Sequence, residues 1–211
     1  MAQKRLESDT AAPDHEEMAD SEPPFLAGRM LVAMPGIGDP RFERAVIFLC
    51  AHDADHAMGL TVNHPLEGLS IGSVLKRLKV GGANSSITLP DDLVLMGGPV
   101  ECDRGFVLHT DDYRSPASSM PVIPGVSLTA TPEVLEAIAG HNSRPRRSLL
   151  ALGYAGWGPG QLEEEIMGAT WLTCDADETL IFGDDHAGKW RRALAKIGVS
   201  PERLSGLSGR A

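Results

Sequence analysis

The stretch Leu149–Leu172, LLALGYAGWGPGQLEEEIMGATWL, decides how this chain folds. It opens on a short apolar run, the pattern of a buried strand, and the run ends at a corner of Gly153, Gly156, Gly158 and Gly160 beside Tyr154 and Trp157. Glycine has no Cβ and accepts positive φ, so such a corner lets backbone approach backbone, or a ligand, closely. QLEEEIM then reads as a short acidic helix and ATWL as the start of another strand.

Outward from this stretch, RMLVAMP (29–35), AVIFLCAH (45–52), AMGLTVNH (57–64), LVLMGGPV (93–100) and GFVLHT (105–110) read as strands. The second and third form a hairpin candidate across the polar turn DADH. ETLIF (178–182) also reads as a strand. Ser70 caps a helix with Ile71, Val74, Leu75 and Leu78 on one face. Thr131-Pro132-Glu133 starts a second helix, ending near Gly140. Asp184 or Asp185 opens the last, with Trp190, Leu194 and Ile197 as its buried stripe and Gly198 as its stop. Its polar face carries Lys189, Arg191, Arg192 and Lys196, a solvated basic surface. Strands outnumber helices and often follow one another directly, which predicts an α+β class.

The chain has 211 residues, 42% of them hydrophobic and 23% charged, enough for a sizeable core. Residues 1–24 hold seven acids against two bases and end in Pro23-Pro24, so they read as a disordered acidic tail. Residues 25–211 are expected to form a single domain. The net charge of −10 leaves the body mildly acidic. Non-specific nucleic-acid binding rests on Lys and Arg neutralising phosphates, so direct DNA binding is not expected. No apolar run is long enough to span a membrane and no signal-like segment follows Lys4 and Arg5, which predicts a cytoplasmic protein. Cys50, Cys102 and Cys174 are odd in number and widely spaced, and read as buried thiols in or beside strands.

Chemistry-bearing patterns are few. The glycine corner precedes a helix N-terminus, but Pro159 lacks a donor and Glu163, Glu164 and Glu165 would repel an anion. The corner reads first as a tight strand-to-helix packing point, with a pocket for a neutral or cationic ligand, lined by Tyr154, Trp157 and Gln161, as the alternative. His52 and His56 stand four apart, yet in a hairpin turn that spacing does not make a zinc site, and Asp53 and Asp55 serve the turn. His64 and His109 lie at strand ends as core or rim histidines. Gly153-Tyr154-Ala155-Gly156 has alanine where a nucleophile elbow needs a hydroxyl. No metal site, cofactor or catalytic set is expected.

Several segments together resemble the AlgH/YqgE family of bacterial proteins. They are GRMLVAMPGIGDPRFERAVIFL (28–49), AMGLTVNHP (57–65), MGGPV (96–100), GFVLH (105–109), LGYAGWGPGQLEEEI (152–166) and the neighbourhoods of Trp171 and Trp190. The resemblance implies an α+β fold with a large, irregular mixed β-sheet, barrel-like or bulged, flanked by several α-helices. Members are commonly labelled transcriptional regulators through a link to alginate production, and no catalytic residues transfer. The leading expectation is a non-enzymatic regulatory or binding protein that acts through a protein or small-molecule partner. The alternative is an enzyme or small-molecule sensor whose pocket gathers the GGPV turn, His109, Asn63 and the glycine corner. The candidate ligand-binding residues are Asn63, Gly97, Gly98, His109, Tyr154, Trp157, Gln161 and Glu165.

Overall fold

The computed structural model describes residues 25–80, 91–115, 117–140 and 144–205. The acidic tail, His141 and the last six residues lie outside them. Among the described residues ten strands run as β1 (Arg29–Ala33), β2 (Val46–His52), β3 (Ala57–Thr61), β4 (Pro65–Ser70), β5 (Leu93–Met96), β6 (Val100–Thr110), β7 (Ser119–Ile123), β8 (Val126–Thr129), β9 (Ser148–Trp157) and β10 (Trp171–Asp175). The helices are α1 (Ile71–Arg77), α2 (Glu133–Ala139), α3 (Gln161–Met167), α4 (Glu178–Phe182), α5 (His186–Lys196) and α6 (Pro201–Ser205).

β9, the opening of the decisive stretch, is the spine of the sheet. The strand order is β10-β1-β2-β3-β9-β6-β8-β7, and β5, paired also with β4, lies against β9. Every pairing on the main path is antiparallel, whereas β5 runs parallel to β9 through Leu95↔Ala151 and Met96↔Leu152, so the curled sheet is mixed, as expected.

Helices pack on both faces of the sheet. Met30, Val32, Phe48, Leu60, Phe106 and Leu108 point to one face, where α4 and α5 add Leu180, Ile181, Trp190 and Leu194. Their neighbours Leu31, Ile47, Leu49 and Ala155 point to the other, packing with Leu162 of α3 and with Trp157 and Trp171. Further along that second face, Val107 and Leu150 meet Ile71 and Leu75 of α1 and Val134 and Ile138 of α2. Burial on both faces explains why β1, β2 and β9 read as near-continuous apolar runs.

Some expectations need correcting. ETLIF is the helix α4: Asp177 caps it by accepting from Leu180 N at 2.8 Å, and three successive apolar residues are buried as a helical turn. A short apolar run cannot separate strand from helix by periodicity, and the cap decides it. The strand at 57–64 stops at Thr61, and 93–100 breaks at Gly97-Gly98 into β5 and the start of β6. Thr131 is not the cap of α2, where Pro132 takes the N-cap place with no side-chain hydrogen bond. Cys50 and Cys174 are buried but Cys102 is exposed. Lys189 is not on a solvated face but fully buried.

Candidate functional site

The face that carries α4 and α5 is not wholly covered. Beyond those helices a cleft of about 610 Å³ opens between β3, β6, β8 and β9. Met58, Val100, Phe106, Met120, Leu128 and Tyr154 form its apolar walls, with Trp157 at one edge. Phe106 and Tyr154 meet edge to face at 5.7 Å between ring centroids. Met120 and Val100 remain 40% and 37% exposed, so part of the wall faces solvent.

Two irregularities of the sheet shape this cleft. β2 shifts register between Leu49 and Ala51, and β6 shifts between Val100 and Gly105. Such bulges bend a strand and re-aim its side chains. In the β6 bulge Glu101 takes a left-handed backbone, φ 48°, costly for a side chain with a Cβ. Arg104, from the same bulge, donates to Glu101 at 2.9 Å and lays its guanidinium over Phe106, 5.1 Å from the ring centroid. His56, also on the cleft, is paired with Asp53 at 2.9 Å. Arg104 and His56 thus each have an acidic partner, and the cleft presents apolar shape rather than net charge.

The sequence candidates divide. Tyr154 and Trp157 line the cleft, as does Val100 of the GGPV turn, so the turn and the glycine corner do meet. Asn63 does not face it: the side chain bridges two backbone groups, accepting from Val46 N at 2.8 Å and donating to Arg44 O at 2.9 Å. His109 is fully buried, its Nδ1 on Thr110 O at 2.9 Å and its Nε2 on the Thr129 hydroxyl at 2.8 Å. Burial pushes its pKa down, yet both ring nitrogens are occupied and the ring lies away from the cleft. Gly97 and Gly98 face the backbone of β9 at contact distance. Gln161 and Glu165 are tied into the corner: Glu165 accepts from the indoles of Trp157 and Trp171 and from the Gln161 amide.

The remaining histidine and cysteine candidates do not converge. His52 accepts from Leu26 N at Nδ1, which places its proton on Nε2 facing Glu163 at 2.7 Å. The DADH turn is closed by Asp53 accepting from the backbone of Asp55 and His56. Cys50 bonds to Phe48 O, and burial pushes its thiol up to about 12, so it stays protonated and unreactive. Among the described residues no group of three or more His, Cys, Asp or Glu is placed to hold a metal ion.

Sequence reasoning missed the far wall of the cleft, because β7 and β8 were not read as strands and the ECDRG segment was not read as a bulge. It also missed Lys189. Its ammonium donates to Val62 O at 2.8 Å and Ile181 O at 2.9 Å, and burial lowers its pKa to about 8. Between pH 8 and 9 the folded protein therefore sheds this proton while the unfolded chain, with an ordinary value of 10.5, keeps it. Stability should rise with pH across that window by about 1 kcal/mol from this group. Cys50 works the other way above pH 9, where the unfolded thiol ionises first. Urea unfolding at pH 8 and 9 checks this, with the rise lost in Lys189→Met. Parallel pH trends in the two proteins would show that Lys189 holds its proton.

Fold and cleft define the class: a curled, mixed-sheet α+β protein with an apolar cleft. The profile of the AlgH-like family matches residues 30–202, and the chain belongs to that family. A UPF0301 protein of Caulobacter vibrioides is 61% identical over 192 residues, covering 91% of this chain and 97% of the relative. One from Bradyrhizobium diazoefficiens is 50% identical over 191 residues, covering 89% of each. The solution structure of AlgH from Pseudomonas aeruginosa superposes with a TM-score of 0.70 at 38% identity, covering 92% of this chain and 98% of that one. A crystal structure of a Corynebacterium diphtheriae protein, 19% identical with a TM-score of 0.63 over 88% of this chain and 92% of that one, shares the fold. Among the described residues no helix is long and apolar enough to cross a membrane.

Proposed function

We propose that this protein is a non-enzymatic regulatory binding protein whose working surface is the apolar cleft, and that its ligand is a neutral, largely apolar small molecule. The observation that carries this reading is the cleft itself. Its volume falls within the roughly 300–1,000 Å³ usual for small-molecule sites, and its walls are methionine and aromatic side chains that adapt to apolar shapes. The ionisable side chains His56, Glu101 and Arg104 at the cleft are engaged by Asp53 or by one another, and the histidines whose pKa burial depresses, His64, His109 and His186, lie outside it. Any effect on transcription then runs through the bound state rather than through DNA. The basic helix supports this: Arg192 pairs with Asp185, Lys196 pairs with Asp177 and Lys189 is buried, so few of its charges are free for phosphates.

Methionine methyl groups report on the cleft directly. With 13C-methyl methionine, 1-octanol should shift the resonances of Met58 and Met120 saturably. Met167, 79% exposed on α3, should not move and is the internal control. Met58→Glu places a charge in the wall and should weaken octanol binding by about tenfold or more. Equal shifts at all three methionines, or an unaltered affinity in Met58→Glu, would remove the cleft as a binding site.

A further inference from the structure

Two side chains on the β6 side of the apolar cleft keep hydrogen-bond donors without a partner. Arg104 donates one N–H to Glu101 Oε2, at 2.9 Å, and its guanidinium rests over Phe106, 5.1 Å from the ring centroid. A guanidinium carries several N–H groups in a rigid fork, so most of this fork has no acceptor among the described residues. Tyr154, on the neighbouring strand β9, packs edge to face on the same Phe106 at 5.7 Å. Its hydroxyl makes no hydrogen bond among the described residues, and the side chain is only half-buried at the cleft wall. Phe106 therefore gathers two open donors at one wall.

Backbone strain accompanies this placement. Glu101 and Arg104 belong to the β6 bulge between Val100 and Gly105, where Glu101 holds its left-handed conformation. Cys102 fastens the bulge to the Gly98-Pro99 turn, its thiol donating to Pro99 O at 3.3 Å and to Gly98 O at 3.7 Å. Strain of this kind persists only where the surrounding structure over-determines it, and it clusters at ligand clamps. The bulge, tied down in this way, is what aims Arg104 at Phe106.

The charges at the cleft narrow the choice of ligand. Glu101 faces Arg104 and Asp53 faces His56, each at 2.9 Å. A carboxylate entering beside Arg104 meets Glu101, and an ammonium meets the guanidinium, so either charge is opposed. An uncharged oxygen acceptor takes the open N–H and O–H donors and leaves the Glu101 pair in place. A carbonyl oxygen has two lone pairs and, unlike a hydroxyl, brings no donor that needs a partner of its own. Beyond the polar wall, Met58, Met120 and Leu128 form a surface that adapts to an alkyl chain. We infer that the cleft takes an uncharged acyl compound, an alkyl chain bearing an amide or ester carbonyl. The carbonyl oxygen accepts from Arg104 and Tyr154 Oη, and the chain lies against Met58 and Met120. This deepens the reading of the cleft as a small-molecule site and rests on it.

Titration of the full chain, labelled with 13C-methyl methionine, tests the assignment through Met58 and Met120. The probes are N,N-dimethyloctanamide, octanoate, octylammonium and toluene. The amide should bind about tenfold more tightly than octanoate or octylammonium. Tyr154→Phe keeps the ring on Phe106, and Arg104→Met keeps an apolar stem there. Each should weaken the amide about fivefold and leave toluene, which has no acceptor oxygen, unchanged. Equal losses for amide and toluene in the variants would reveal a change of cleft shape and overturn the carbonyl contact, as would octanoate or octylammonium binding as tightly as the amide. Toluene binding without any preference for the amide would leave the cleft a binding site and remove the acyl assignment alone. Shifts from none of the four probes would overturn both the acyl ligand and the binding role of the cleft.

Discussion

Gly98→Ala should cost about 4 kcal/mol of stability, a large share of what a domain of this kind possesses. A Cβ at this position would sit 2.1 Å from the Tyr154 carbonyl carbon and 2.3 Å from both Ala155 N and Tyr154 O. Those are backbone atoms of the central strand, and no rotamer change can move them aside. The only relief is to separate the Gly97-Gly98 segment from β9. That segment cannot leave cheaply: Gly97 N donates to Leu152 O and Gly97 O accepts from Thr61 N, each at 2.8 Å, so it joins β9 to β3. Gly97→Ala meets the same obstacle at 2.2 Å from Gly153 O. Overpacking against movable side chains typically costs 1–3 kcal/mol, and a rigid backbone wall places these variants above that range. Guanidinium unfolding read by far-UV circular dichroism measures the loss. An unperturbed midpoint would mean that the glycines face open space, and would return them to the list of residues free to approach a ligand.

This contrast shows how much of the molecule was legible beforehand. β1, β2, β9, α1 and α5 announce themselves through apolar runs, a serine cap, an aspartate cap and a terminal glycine, all of them local signals. The glycine corner was also correctly located, but two physical reasons for glycine, room for backbone and room for ligand, leave the same trace in sequence. Only coordinates separate Gly97 and Gly98, which face β9, from Gly156, which lines the cleft. Lys189 was misplaced for a related reason. Helical spacing puts it beside charged neighbours, and nothing in the sequence reveals that two carbonyls, one of them 127 residues away, receive its ammonium. The far wall of the cleft escaped notice because β7 carries Pro121, a residue that argues against a strand except at the edge of a sheet, where β7 lies.

Glu165 tests the other half of the corner, and Glu165→Ala should destabilise the protein by about 3 kcal/mol. One carboxylate oxygen receives Trp157 Nε1 at 2.9 Å and Trp171 Nε1 at 2.7 Å, and the other receives the Gln161 amide at 2.8 Å. Gln161 in turn accepts from Gly158 N at 3.1 Å, so the helix α3 is pinned to the glycine turn that precedes it. Trp157 and Trp171 are 6% and 2% exposed and meet edge to face at 6.0 Å. Alanine would leave two buried indole N–H groups without an acceptor. A hydrogen bond to a charged group contributes about 1.5–3 kcal/mol, and water reaching the half-buried Glu165 position offsets part of the loss. Glu165→Gln keeps one acceptor oxygen and should cost about 1 kcal/mol, so the order of the variants matters more than either value. Tryptophan emission should shift to the red in Glu165→Ala as the indoles loosen. Because Trp157 also edges the cleft, octanol affinity should fall with it, linking a fold contact to binding. If Glu165→Ala unfolds at the wild-type midpoint, the carboxylate is not restraining the indoles, and Gln161 and Glu165 become available to a ligand after all.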